Sequence, residues 1–425
     1  VKSAFLIAWR GLWRGKTLWT LLAAVVAAHL FLPDAVRSDG TLAGRLEMHV
    51  RVVFGAVTAL VCAASLAIAC GAFAREREDD LLPLSLVRPV SALTLAAGRW
   101  LAFLLLAASV LAVNVLLLNA MLWRSDHRPG NCRIHHAPAL PPAEVSAARM
   151  LEAFLRSEKT PEAVKKAPRA AVLALLTAKE KERYEVVHPG KSLTLPFYAP
   201  PGEALTVRVR FSTLYNIKEP LSGVFRYRGC EGPVSNSTQA ILEVPLRQAP
   251  TEVQMGLASA VPSLSPNLTF TNTGASDVML RPRRDVELLA PGDAFFANSL
   301  RATLEVLAVA GLLAAFGLFL SAALSRPVAL FTAAVLMAAA LMAPDAVSQF
   351  PDEFNATTGE KIGLAISRAV TRFTAALSEV SPVSDLASSR AIPVREMGGA
   401  VVADLVGWPL LFLSLTAFLL RRKPR

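Results

Sequence analysis

Few side chains in this chain stand at spacings that could do chemistry. His127, Cys132, His135 and His136 lie within ten residues and offer the nitrogen and sulfur donors that zinc prefers. Two adjacent histidines share a tetrahedral ion poorly, and no fourth ligand stands at a usual spacing, so no metal site is expected. Asp126 beside His127 supplies part of a nucleophilic triad, but no serine sits in the strained G-x-S-x-G turn that exposes a nucleophile. The segment Gly11-Leu12-Trp13-Arg14-Gly15-Lys16-Thr17 has the lysine and threonine of a phosphate loop. Only three residues separate its glycines, where four are needed to wrap phosphates in backbone N–H groups. No catalytic residue, metal or cofactor is therefore assigned to the chain. One covalent candidate remains: Cys132 and Cys230 both fall in a long polar stretch, where an oxidising compartment would let them pair.

The elements around these residues are those of a membrane protein. Hydrophobic residues make up 53% and charged residues 18% of 425, against roughly 25% charged in soluble domains, and mean hydropathy is +0.44. Net charge is +11, a balance that in a soluble protein would point to nucleic acid. Here Lys2, Arg10, Arg14 and Lys16 at one end, and Arg421, Arg422, Lys423 and Arg425 at the other, flank apolar runs. Their expected work is orientation by the positive-inside rule and contact with anionic lipid, not nucleic acid. Residues 1–16 place Phe5, Trp9, Leu12 and Trp13 at helical spacing, which predicts an interfacial helix. Apolar runs at 17–32, 52–73, 101–122, 302–324, 328–342 and 401–420 predict six spans, each near the roughly 20 residues that cross a bilayer. Pro33 to Arg51 reads as a short external link. Asn114 and Asn119 in the third span are expected to bond neighbouring helices, and Arg301 and Glu305, one turn apart, to neutralise each other.

Between the second and third spans lies REREDDLLPLSLVRPVSALTLAAGRW, residues 75–100. Arg75, Arg77, Arg88 and Arg99 near the span ends place this link on the cytoplasmic side. Asp79 and Asp80 favour a helix start and Pro89 a stop, so a brief amphipathic helix over 81–87 is expected. The order of acidic cluster, Leu81-Leu82, Arg88-Pro89-Val90-Ser91, then Gly98-Arg99 before a span resembles the coupling-helix region of the exporter class of ABC permeases, the type-two permease family. The resemblance rests on Glu76, Glu78, Leu81, Leu82, Arg88, Pro89, Ser91, Gly98 and Arg99. Two positions depart from the family's pattern: Asp79-Asp80 stands where a small residue often follows the acid, and Ala92 stands where a basic residue is common. The resemblance implies a permease subunit that docks a separate ATP- and Mg-using ATPase on the 75–100 loop through Glu76, Glu78, Leu81, Leu82, Arg88, Pro89 and Ser91. It also implies pairing with a second permease, as a homodimer or heterodimer.

From 124 to 299 the hydropathy collapses over the length of a whole domain. Following three spans from a cytoplasmic start, this domain is expected outside. Residues 140–185 carry helical spacing; 190–290 carry short alternating segments at 192–195, 205–211, 224–227, 240–244, 268–270, 278–280 and 286–289, separated by Pro and Gly, which predicts a β-sandwich-like part. Tyr198, Tyr215, Phe225 and Tyr227 are candidates for sugar stacking but fit core or rim positions better. Residues 344–400 read as an external excursion with an amphipathic helix over 362–377, and 401–425 as the last span, kinked at Pro409, with a basic tail. The expected architecture is an α-helical polytopic membrane protein of six transmembrane helices with an inserted extracytoplasmic domain, both termini cytoplasmic, in the cell membrane. Its expected function is that of an exporter permease moving a cargo by ATP hydrolysed in a partner. The alternative is a membrane-anchored extracytoplasmic binding or assembly protein without transport.

Overall fold

The computed structural model describes residues 1–35, 42–78, 91–124, 132–136, 138–156, 169–197, 205–209, 221–228, 239–244, 251–255, 267–283, 285–347 and 382–422. They form two compact units, one built from 1–132, 293–347 and 382–422, the other from 133–292.

The first unit is helical. Helix α1 (Lys2–Arg14) turns at Gly15 and Lys16 into α2 (Thr17–Ala35), the two axes bent by 55°. Helix α3 (Leu42–Glu78) and α4 (Ala92–Arg124) follow, then α7 (Phe295–Ala323) and α8 (Arg326–Val347). The last stretch holds α9 (Pro382–Ala387), α10 (Val394–Val402), a π-helical turn (Ala403–Gly407) and α11 (Trp408–Arg422). Among the described residues, four helical stretches are long and apolar enough to cross a bilayer: Glu47–Glu78, Ala92–Trp123, Phe295–Ala323 and Met397–Arg421. The bent α1–α2 pair qualifies only when taken as one span, and α8 contributes a shorter apolar helix, Arg326–Ala338.

Helix α7 is the axis of this unit. In its most apolar window 78% of residues are buried, against 28% in the final span. Its run of Ala, Gly and Ser lets neighbouring backbones approach, the usual basis of helix association in lipid. At Gly317 the approach to α3 is closest: a Cβ there would stand 2.8 Å from the Ala69 Cβ and 2.9 Å from the Leu66 carbonyl oxygen. In the last of these helices a π-helical turn, Ala403–Gly407, lies just ahead of Pro409, where a kink is expected. Proline cannot donate to the carbonyl four residues back and collides with it. The π turn just before it, closed by the Trp408 N–H on the Ala403 carbonyl, supplies the extra room.

Helix α3 departs from expectation at both ends. Residues 42–51, expected as a link, and 75–78, expected as the start of a loop, are all helical. At 37 residues the helix is about 55 Å long, well beyond the hydrocarbon core. Hydropathy marks bilayer depth, whereas Arg and Glu are themselves good helix formers, so the helix outruns its apolar run.

Among the described residues, the second unit contains two helices, α5 (Ala143–Arg156) and α6 (Arg169–Lys181), and antiparallel sheets. One four-stranded sheet has the order β1 (Arg133–His136), β10 (Val286–Pro291), β4 (Leu205–Val209), β7 (Thr251–Met255). The other runs β3 (Ser192–Pro196), β8 (Asn267–Asn272), β5 (Leu221–Arg228), β6 (Gln239–Val244), and β2 (Glu185–Val187) pairs with β9 (Val278–Leu280). Strands β3, β4, β5, β6, β8, β9 and β10 fall on the expected segments; β1, β2 and β7 are additional. Leu195, Phe225, Leu268 and Phe270 from one four-stranded sheet and Val207, Val209, Val286 and Leu288 from the other bury in a single cluster, as alternation along half-buried strands requires. Arg281 fastens the helical part to the sheets: it grips Asp285 at 3.0 Å and reaches Glu182 at 2.7 Å. Those two carboxylates push its guanidinium pKa further up.

Candidate functional site

Of the residues that the sequence singles out around 75–100, those described stand in the last turns of α3 and the first turns of α4. Leu81, Leu82, Arg88 and Pro89, and the expected helix at 81–87, lie outside the described residues. Glu76, Glu78 and Ser91 lie within them and form the two roots of the 79–90 connector. Ser91 starts α4: its hydroxyl accepts the Thr94 N–H at 3.2 Å and its carbonyl accepts the Leu95 N–H at 3.0 Å, satisfying amides that every helix start leaves open.

The last turn of α3 is bonded in three directions. Toward α4, Arg99 forms an ion pair with Glu76, donates to the Ala72 carbonyl at 2.9 Å and stands 4.2 Å from the centre of the Phe73 ring. The second carboxylate oxygen of Glu76 is buried and has no hydrogen-bond partner among the described residues. Toward α7, Arg77 donates to the carbonyls of Ser321 at 2.9 Å, Ala322 at 2.7 Å and Leu324 at 3.4 Å. Those carbonyls end α7, carry its negative dipole end and lack intrahelical donors, so a guanidinium is the natural cap. The Ser321 hydroxyl in turn accepts the Phe73 and Ala74 N–H groups at 2.8 and 2.9 Å. Toward α8, the Glu78 carboxylate accepts the Arg326 N–H at 3.4 Å, an acid at the positive end of a helix. Beside Arg99, the Trp100 indole N–H donates to the Gly311 carbonyl, ten residues earlier on α7 than Ser321, at 2.8 Å.

Among the described residues, this arrangement holds no nucleophile beside a base. It is a clamp: Arg99, two turns into α4, is bonded to the last turns of α3, and the end of α3 is bonded to the end of α7 and the start of α8. The chain matches no family model, no curated protein and no solved structure among those compared.

A second polar lock lies at the other end of α7. Asn298, fully buried, donates to the Arg390 carbonyl at 2.7 Å and accepts the Ile392 N–H at 2.8 Å. Arg301 pairs with Asp293 and donates to the Ile392 carbonyl at 3.2 Å. Glu305, expected to neutralise Arg301, is buried one turn further along α7. Asn119 bonds Ser299 of α7 at 3.2 Å, the cross-helix role expected of it. Asn114 is also fully buried, and neither of its amide atoms has a partner among the described residues.

The remaining candidates resolve individually. Cys132 is a free, fully buried thiol, its pKa pushed up to about 11 by burial; Cys230 lies outside the described residues. His135 and His136 are consecutive in β1, in register with Leu289 and Leu288, while Asp126 and His127 lie outside the described residues. Phe225 is fully buried, its ring 4.9 Å from that of Phe270, and so belongs to the core; Tyr198 and Tyr215 lie outside the described residues. Sequence reasoning missed Ser321, Asn298 and the capping role of Arg77. The available signal was their polarity at the ends of an otherwise apolar helix.

Proposed function

We propose that this chain is the permease subunit of an ABC exporter. In this reading six spans, with both termini cytoplasmic, carry an extracytoplasmic domain that includes a β-sandwich. A separate ATPase subunit, with its ATP and Mg, docks on the 75–100 connector, and a second permease completes the pathway. The single observation that supports it best is the clamp. A protein pushing on residues 79–90 would act on α4 through Glu76–Arg99, on α7 through Arg77 and on α8 through Glu78, so a local displacement would be shared by four helices. A connector serving only to join two anchoring helices needs no such set of bonds.

The test is affinity purification of the full chain from its native membrane, followed by identification of copurifying subunits and ATP hydrolysis by the assembly. The expected result is a copurifying ATPase. Arg88→Glu should release it while leaving thermal unfolding of the chain unchanged. Recovery of the chain without any ATPase, together with outside labelling of a cysteine introduced at Ser91, would overturn the reading in favour of an anchored extracytoplasmic binding or assembly protein.

A further inference from the structure

We infer that the exposed face of α1, with the α1–α2 corner, is a docking surface for an anionic lipid leaflet, and that the charge of that leaflet is felt at the connector root. Charge complementarity is the first support. Lys2, Arg10, Arg14 and Lys16 are all exposed, none forms an ion pair among the described residues, and no Asp or Glu occurs before Asp34. Four cations with no acid among them suit a surface of lipid phosphates, not a protein surface of mixed sign.

The apolar half of the same surface is the second support. Ile7, Trp13 and Trp19 are 60%, 48% and 53% exposed. The rings of Phe5, Trp9, Trp13 and Trp19 follow one another around the corner, with successive centroids 6.5, 6.3 and 5.4 Å apart; Phe5 and Trp9 pack against the core, and Trp13 and Trp19 are the exposed pair. Tryptophans beside cations are the pairing that settles at headgroup depth. The corner itself keeps a lysine where glycine is easier: Lys16 has φ of 61°, whereas Gly15, one residue earlier, has φ of −70°.

The link to the connector is a contact between backbones. A Cβ at Gly98 would lie 2.7 Å from the Ala4 Cβ and 2.9 Å from the Phe5 nitrogen, so α1 rests directly on α4. The next residue is Arg99, the partner of Glu76. The three atoms nearest that position are the Ala4 Cβ, the Phe5 nitrogen and the Ala4 carbonyl carbon, none of them the end of a flexible side chain that could absorb a shift of α1. The inference requires only that the chain sits in a membrane and does not depend on an ATPase.

The test is hydrogen–deuterium exchange of the full chain in nanodiscs of phosphatidylcholine alone and of phosphatidylcholine with 30% phosphatidylglycerol. Peptides covering 1–16 and 92–100 should exchange about fivefold more slowly in the anionic discs, and the difference should vanish at high salt because exposed charges are screened. Replacing all four cations with glutamine should remove the difference, whereas exchanging lysine for arginine and arginine for lysine at the same positions should keep it. Gly98→Ala should keep the response at 1–16 and lose it at 92–100. Equal exchange of the wild type in both discs, or a salt-insensitive difference, overturns the docking surface without reference to any glutamine variant. A Gly98→Ala chain that still responds at 92–100 overturns the link.

Discussion

The ion pair between Glu76 and Arg99 joins the last turns of α3 to α4, and a double-mutant cycle measures it directly. At about 4 Å, two unit charges at an effective dielectric of 20 attract by about 4 kcal/mol. The Arg99 side chain is 10% exposed and that of Glu76 29%, so solvent screens a substantial part and a coupling of about 2 kcal/mol is expected. Arg99→Gln should cost about 3 kcal/mol, because it strands a carboxylate whose other oxygen is already unpartnered. Glu76→Gln should cost about 1 kcal/mol, because Arg99 keeps the Ala72 carbonyl and the Phe73 ring. The double variant should then lose only about 2 kcal/mol. Unfolding of the four proteins in mixed micelles by added dodecyl sulfate supplies the free energies. Single losses that add in the double variant to within about 0.5 kcal/mol would show that the two side chains do not work together, and the clamp would fail at its centre.

Arg77→Ala should cost about 2–3 kcal/mol by uncapping α7 and should speed amide exchange in the last turn of that helix; Arg77→Lys should recover less than half, since an ammonium lacks the planar fork that spans several carbonyls. Asn114→Leu should stabilise the fold by about 1–2 kcal/mol in the same micelle titration, because it removes a buried amide with no partner; a loss of stability would mean that the amide is satisfied in the membrane. Cys132 gives a pH dependence. Its folded pKa lies above the ordinary value near 9 and is pushed up to about 11, so its stabilising contribution is complete below pH 9 and disappears as pH rises to 11. The loss is about 2–3 kcal/mol, measurable by thermal unfolding across that window and abolished in Cys132→Ala. A wild type without this slope would point instead to a disulfide with Cys230.

Hydropathy alone located the stretches that became α3, α4, α7 and α11, because apolar length is a property of the local chain. The short strand-like segments located β3, β4, β5, β6, β8, β9 and β10 for the same reason. What the sequence did not disclose depends on partners far along the chain. Strand β1 reads Arg-Ile-His-His, with one strong apolar residue in four, and exists by pairing with β10, more than 150 residues later. Strand β7, Thr-Glu-Val-Gln-Met, owes its place to β4. Arg77 was legible only as an orienting charge, since its carbonyl acceptors on α7 lie about 245 residues away. The clamp was therefore visible as a set of polar residues near span ends, but not as a set of bonds.

The bonds at the two faces of α3 differ in kind, and that difference decides where the unit can yield. Against α7 the contact is backbone to backbone at Gly317 and Ala69, reinforced by the Ser321 hydroxyl on two α3 amides. Close-packed contacts of this sort do not deform gradually, so α3 and α7 should move as one body. Against α4, the connector root is held by one guanidinium that can exchange the Glu76 carboxylate and the Ala72 carbonyl for water. A force on residues 79–90 would therefore reach the Arg99 bonds before it could part α3 from α7, and the bundle would open, if it opens, between α3 and α4. That ordering makes Arg99 the residue whose replacement should loosen α4 while leaving the α3–α7 pair intact.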